Sequence, residues 1–205
     1  MTKHLSNEVF VVNSFGGNVG SVVSWLSNLG FKPSVESLNA NVKDGPLIIP
    51  GVLNSSAALN FDRFEKEFSV LATWISSGPP IIGICGGMQI LARSSQEKVL
   101  QEEIGSSRGL GIFDANVLSL STFDSDINLP LIGWYPVDGL GNNHKFYFCH
   151  SYALSTSEES LVLGYQQVGI ARVPAIVRNE NVYGFQFHPE KSMDAGSELI
   201  RRILK

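Results

Sequence analysis

The sequence predicts an α/β fold, a three-layer sandwich with a central mixed, mainly parallel sheet. Two observations carry this. In the first half, short apolar runs alternate with segments of helical spacing, and each run stops at glycine, proline or a cluster of turn residues. After roughly residue 105 the rhythm changes to shorter, alternating strands. Strand–helix–strand repetition needs crossover connections, which put helices on the faces of a parallel sheet.

In chain order, Val9-Phe10-Val11-Val12 reads as a buried strand stopped by turn residues 13–18, and residues 20–29 form an amphipathic helix closed by Gly30. Leu47-Ile48-Ile49 is a second strand, ended by Pro50-Gly51. Phe61, Phe64, Phe68, Leu71 and Ile75 recur at three- and four-residue spacing, so the spacing predicts a helix over 61–76 that packs on the sheet. Residues 81–84 are a third strand, and residues 88–92 are helix-compatible. Later strands are expected at 115–119, 145–149, 161–165, 175–177 and 182–187, with a turn at 139–143 and a last helix over 194–204. With no interdomain linker in sight, residues 1–205 read as one domain.

Composition excludes several classes of function. The net charge of −4 and the lack of a basic block argue against nucleic-acid or acidic-lipid partners. No apolar run is long enough to span a bilayer, and the first residues lack a signal-peptide layout, so no membrane role is expected. Two cysteines give no disulfide framework, which fits a reducing cytoplasm, and no Cys/His cluster has zinc spacing. Neither metal nor cofactor is expected.

Cys85 is the most informative residue. The run Ile81-Ile82-Gly83-Ile84 ends in Cys85-Gly86-Gly87 and leads into helix-compatible residues, the sequence form of an elbow that pushes a nucleophile into solvent. The glycines suit a crowded turn, whereas an inert core cysteine needs none. A thiol at a helix start also feels the positive end of the helix dipole, which favours the thiolate. In an open α/β sheet, ligands lie beyond the carboxyl ends of the strands. The turns at Cys85, Pro50-Gly51 and Gly16-Gly17 all fall at such ends and mark one edge as the candidate site.

A cysteine nucleophile needs a base, and the chain has four histidines. His4 lies near the start and His144 in a polar turn, while His150 and His188 emerge at strand ends. His188 has the stronger case, because Pro189 fixes its turn and Glu190 can orient the imidazole. Taken alone, His-Pro-Glu also suits any surface loop. Joined to the elbow it makes a candidate Cys85–His188–Glu190 triad.

Gly83-Ile84-Cys85-Gly86-Gly87-Met88-Gln89 and Gly184-Phe185-Gln186-Phe187-His188-Pro189-Glu190-Lys191-Ser192 resemble the two defining segments of class I, triad-type glutamine amidotransferases. The resemblance narrows to the glutaminase subunits of imidazole glycerol phosphate synthase, through Ser14-Phe15-Gly16-Gly17-Asn18, Gly133-Trp134-Tyr135-Pro136-Val137 and Tyr147-Phe148-Cys149-His150-Ser151-Tyr152. It implies a flavodoxin-like topology and release of ammonia from L-glutamine through a thioester on Cys85. It further implies that His188 is base then acid, that Glu190 orients it, and that backbone N–H groups at Gly51, Val52 and Gly86 form the oxyanion hole. Gln89, Glu97, His150, Ser151 and Tyr152 match glutamine-holding positions. From the residues alone, Glu97 fits a solvated helix-end charge equally well, and Gln89 is similarly open.

The resemblance also implies a heterodimer with a (β/α)8-barrel synthase subunit that receives the ammonia for histidine biosynthesis. Asn18, Trp134 and Lys191 match or neighbour that docking face, although core packing suits Trp134 at least as well on sequence grounds alone. Two departures stand out: Leu53 occupies a place where the family usually has glycine, and Gly86 one where leucine is common. Leucine does not readily take the positive φ of a flipped oxyanion peptide. A paralogue feeding another synthase, as in surface-sugar modification, a related cysteine hydrolase and a non-catalytic scaffold are the alternatives.

Overall fold

The computed structural model describes residues 7–38, 42–51, 61–97, 107–141 and 144–204. Its main sheet contains β1 (Glu8–Val12), β2 (Lys32–Glu36), β3 (Leu47–Ile49), β4 (Ile81–Ile84), β11 (Val162–Val168), β12 (Ala171–Asn179) and β13 (Val182–Phe185), in the order β11-β12-β13-β4-β3-β1-β2. The five strands from β13 to β2 run parallel to their neighbours, and β11 and β12 continue the sheet antiparallel. The sheet is therefore mixed and mainly parallel, as expected.

Alternation along the strands decides how the layers assemble. Phe10 and Val12 of β1 point into a core with Phe68, Leu71 and Trp74 from helix α2 (Phe61–Ser76). Val9 and Val11 point the other way, into a second core with Val22 and Leu26 of α1 (Val19–Asn28) and Ile200 and Leu204 of α4 (Met193–Leu204). With period-2 side chains and both faces covered, the inner parallel strands read as continuous apolar runs, which is why they were visible in the sequence.

Smaller elements complete the second half. The strands β5 (Ser94–Ser95), β6 (Ser107–Arg108), β7 (Asn116–Ser119) and β10 (Tyr152–Ser155) form one sheet, and β8 (Leu131–Pro136) pairs antiparallel with β9 (Lys145–His150) in another. The turn between β8 and β9 falls where expected, although residues 142–143 lie outside the described residues. The sequence reading missed β5, β6, β8 and β10, and also β2, an edge strand whose Pro33 and polar residues disguise it, a composition tolerated at a sheet edge.

The segment after Cys85 also differs from expectation. The helix is α3 (Gly86–Gln89), a single turn, rather than one over 88–92. It ends because the next carbonyls are claimed elsewhere: Leu110, Phe113 and Gly111 donate their backbone N–H to the carbonyls of Ile90, Leu91 and Ala92. Those three residues are fully buried, so tertiary partners replace the helical ladder there.

Candidate active site

β4 delivers Cys85 to the carboxyl edge of the sheet, where its backbone N–H donates to Phe185 O of the neighbouring strand at 2.6 Å. Cys85 itself carries the unusual backbone, with φ 49° and ψ −112°. Cys85 takes these angles itself, and Gly87 supplies the room that the crowded turn needs. A Cβ on Gly87 would lie 2.2 Å from Ile49 O, so only glycine lets the helix turn sit against β3. Strain held by surrounding contacts is typical of a nucleophile elbow.

The three turns at the sheet edge do meet. Asn18 donates its backbone N–H to Gly51 O at 3.1 Å, and a Cβ on Gly51 would press His188 Cε1 at 3.0 Å and Cys85 Cβ at 3.3 Å. The His188 ring is therefore set beside Cys85, and its Nδ1 donates to Glu190 Oε1 at 2.8 Å. The 3-10 turn Pro189–Lys191 holds the pair, with Tyr147 O accepting the His188 N–H and Ser192 Oγ donating to His188 O. Glu190 is almost fully buried behind the ring. Burial opposes a charge on His188, but the hydrogen bonds to Cys85 and Glu190, and the charges of both, outweigh it and raise the imidazole to about 10. A protonated base beside the sulfur is what a cysteine nucleophile requires.

The residues matched to glutamine binding fall into two groups. Gln89 and His150 are buried and engage the backbone of Tyr152: Gln89 Nε2 donates to Tyr152 O at 3.0 Å, and His150 Nδ1 lies 2.9 Å from the same oxygen. Ser151 and Tyr152 are partly exposed. Tyr152 stands close enough to Glu97 that the Glu97 charge, after burial, raises its phenol above the ordinary range. Of the expected oxyanion donors, Gly51 and Gly86 lie beside Cys85, while Val52 and the departing Leu53 lie outside the described residues.

His150 is a neutral anchor. Burial lowers it to about 4, against the hydrogen bonds to Tyr152 and Gln166, and the His188 charge adds to the lowering. A carbonyl only accepts, so Nδ1 carries the proton and Nε2 must itself accept. Gln166 meets Nε2 through its side-chain amide at 3.2 Å, and the other end of that amide has no partner among the described residues. Oxygen and nitrogen are interchangeable in shape, so turning the amide's N–H toward Nε2 satisfies the imidazole.

A pH effect follows. Unfolded, His150 binds a proton below about 6.5; folded, it does so only near 4. Between these values the unfolded chain holds more protons, so this contribution to stability is present above 6.5 and is lost as pH falls through about 4. The thermal midpoint of His150→Gln should therefore fall less than that of the wild type over this range. Parallel curves would show that His150 charges as easily folded as unfolded.

The expected interface residues lie on the rim. Trp134, 40% exposed on β8, packs edge-on against Tyr147 of β9 at 5.8 Å, and Lys191 Nζ sits 5.6 Å from the Tyr147 ring. Asn18 caps α1, its Oδ1 accepting from Ser21 N. Trp134 is thus a surface residue, and core packing is not its role. Tyr147 was not singled out in the sequence, although it stands in the quoted Tyr147–Tyr152 segment. Gln186, which touches the sulfur, was also passed over inside a quoted motif.

The class-I glutamine amidotransferase family model matches residues 10–205. Imidazole glycerol phosphate synthase subunit HisH 2 of Nitrobacter winogradskyi is 34% identical over 200 residues, covering 92% of this chain and 93% of that protein. The corresponding subunit HisH of Methanopyrus kandleri is 34% identical over 206 residues, covering 96% and 97%. In fold, the chain is similar to the structure of PurLQS from Thermotoga maritima, with a TM-score of 0.71, 19% identity, and coverage of 96% and 97%. The chain belongs to the class-I glutamine amidotransferase family.

Proposed function

We propose that this chain is the glutaminase subunit of imidazole glycerol phosphate synthase, acting in the cytoplasm in histidine biosynthesis. The observation that carries the chemistry is the juxtaposition of Cys85, His188 and Glu190, the ring set against the Cys85 turn with its Nδ1 2.8 Å from the carboxylate. The Cys85 sulfur attacks the side-chain carbonyl carbon of glutamine, and the developing oxyanion is met by backbone N–H groups at Gly86 and at the Gly51-Val52 turn. Protonated His188 gives its proton to the leaving nitrogen, so ammonia departs and a glutamyl thioester remains. His188 then takes a proton from water, the hydroxide adds to the thioester, and glutamate leaves as the sulfur is restored. Glu97 offers a carboxylate to the substrate ammonium, and the Ser151-Tyr152 backbone forms the opposite wall, positioned by Gln89 and His150.

The partner is a (β/α)8-barrel cyclase subunit that consumes the ammonia before water can protonate and dilute it. Trp134, Tyr147 and Lys191 give its docking face an aromatic anchor with an adjacent cation, and Asn18 extends the rim toward Gly51. Truncating a central interface aromatic typically weakens binding by about 2 kcal/mol or more, so Trp134→Ala should raise the dissociation constant roughly 30-fold. The test is titration calorimetry with the barrel subunit, followed by glutamine-dependent turnover of its ribonucleotide substrate. Unchanged binding by Trp134→Ala would place the interface elsewhere. Binding without ribonucleotide turnover would redirect the ammonia to another acceptor, the reading that the Leu53 and Gly86 departures favour.

A further inference from the structure

We propose that Gln186 is a catalytic residue, whose side-chain amide donates a hydrogen bond to the Cys85 sulfur and couples the nucleophile to the wall of the glutamine site. Gln186 is fully buried just beyond β13, where its backbone N–H is fixed to Ala175 O at 2.9 Å. Its Nε2 lies 3.7 Å from Cys85 Sγ, and its Oε1 lies 3.4 Å from Gln89 Nε2. The network determines which end of the amide faces the sulfur. Tyr152 O can only accept, so Gln89 must present its nitrogen there. The remaining Gln89 N–H then points at Gln186, which must answer with oxygen and turn its own nitrogen to Cys85.

This amide is a neutral donor in addition to His188. A neutral donor strengthens its bond when the sulfur becomes an anion, yet it cannot give up its proton, so it favours the thiolate without competing for the role of acid. The same amide ties Cys85, through Gln89, to the Tyr152 carbonyl that His150 also holds. A shift of the substrate wall is thereby transmitted to the donor at the sulfur. The proposal rests on Cys85 being the nucleophile of the glutaminase reading. The ionisable groups facing this cluster are His188, with Glu190 behind it, neutral His150 behind Tyr152, and Glu97 beside Tyr152.

The test is alkylation of the intact chain by iodoacetamide across pH, read at Cys85 by peptide mass spectrometry so that Cys149 does not contribute. In Gln186→Met, the pH profile of alkylation should move about one unit toward alkaline, so that alkylation slows about tenfold on its acidic limb, because a hydrogen bond to a charged group is worth at least this much. Gln186→Glu keeps the acceptor for Gln89 but replaces the donor by oxygen, so its profile should move further. An unmoved profile in either folded variant overturns the proposal. Should neither variant fold, the wild type decides: the Gln186 side-chain amide resonances must shift with the midpoint of Cys85 alkylation, and a silent amide overturns it. Alkylation needs no glutamine. A chain that shows these shifts but never hydrolyses glutamine would remove the functional reading and leave Gln186 a donor to the Cys85 sulfur but not a catalytic residue.

Discussion

Cys85→Ala should lower glutamine hydrolysis by at least about 10⁴-fold, measured with the barrel subunit and its ligand bound. The magnitude follows from what the substitution leaves behind. Backbone donors and the substrate wall persist, and they retain only the modest acceleration of a site that binds without a nucleophile. The fold should persist as well, because only the sulfur is lost, Cβ keeps its place, and Cys85 lies at the rim of its core cluster, 8% exposed. Alanine is less comfortable than glycine at φ 49°, but cysteine bears the same restriction, so backbone strain is unchanged. The thermal midpoint should therefore stay close to that of the wild type while turnover disappears. Appreciable hydrolysis in a well-folded Cys85→Ala chain would sink the thioester route, and the attack would then have to be assigned to water.

The sequence exposed those parts of the fold where one physical demand dominates. Leu47-Ile48-Ile49 and Ile81-Ile82 are apolar on both faces because helices cover both faces of a parallel sheet. The amphipathic period over Phe61–Ser76 was legible for the same reason. β2 was hidden because an edge strand needs only half a burial pattern, and residues 90–92 deceived because their fate depended on backbone donors from residues 110–113. At the site, His188 and Glu190 could be paired because two residues of one turn are neighbours by construction. Gln186 could not be given a role: its partners Cys85 and Gln89 come from the elbow and helix turn that follow another strand, and only folding shows that an amide inside an apolar run points at the sulfur. The apparent substrate ligand His150 is similar. The resemblance matched it to a glutamine-holding position, and only folding shows that it is buried with both ring nitrogens engaged, one of them by the Tyr152 carbonyl.

Glu190→Gln should reduce kcat by about 10²–10⁴-fold while leaving KM for glutamine nearly unchanged. The carboxylate accepts from His188 Nδ1 and is almost fully buried behind the ring, so it touches the base and no bound substrate. A glutamine there can face the ring in two ways. With its carbonyl inward, the tautomer survives but the charge that supports the imidazolium is gone. With its nitrogen inward, Nδ1 must become an acceptor, and the ring then carries its proton toward Cys85 and cannot take another. Both orientations deplete the protonated His188 that serves the leaving nitrogen as acid. Wild-type His188 holds its proton up to about 10, so the alkaline limb tied to it belongs near that pH. Without the Glu190 charge the limb should move down toward the ordinary histidine range, because activity that needs protonated His188 is lost as pH rises through a lower value. Stability should not suffer in parallel, since the second carboxylate oxygen has no hydrogen-bond partner among the described residues and a neutral amide is easier to bury there. An unchanged kcat and an unmoved alkaline limb would show that Cys85 alone sustains the imidazolium, reducing Glu190 to a packing residue behind a dyad.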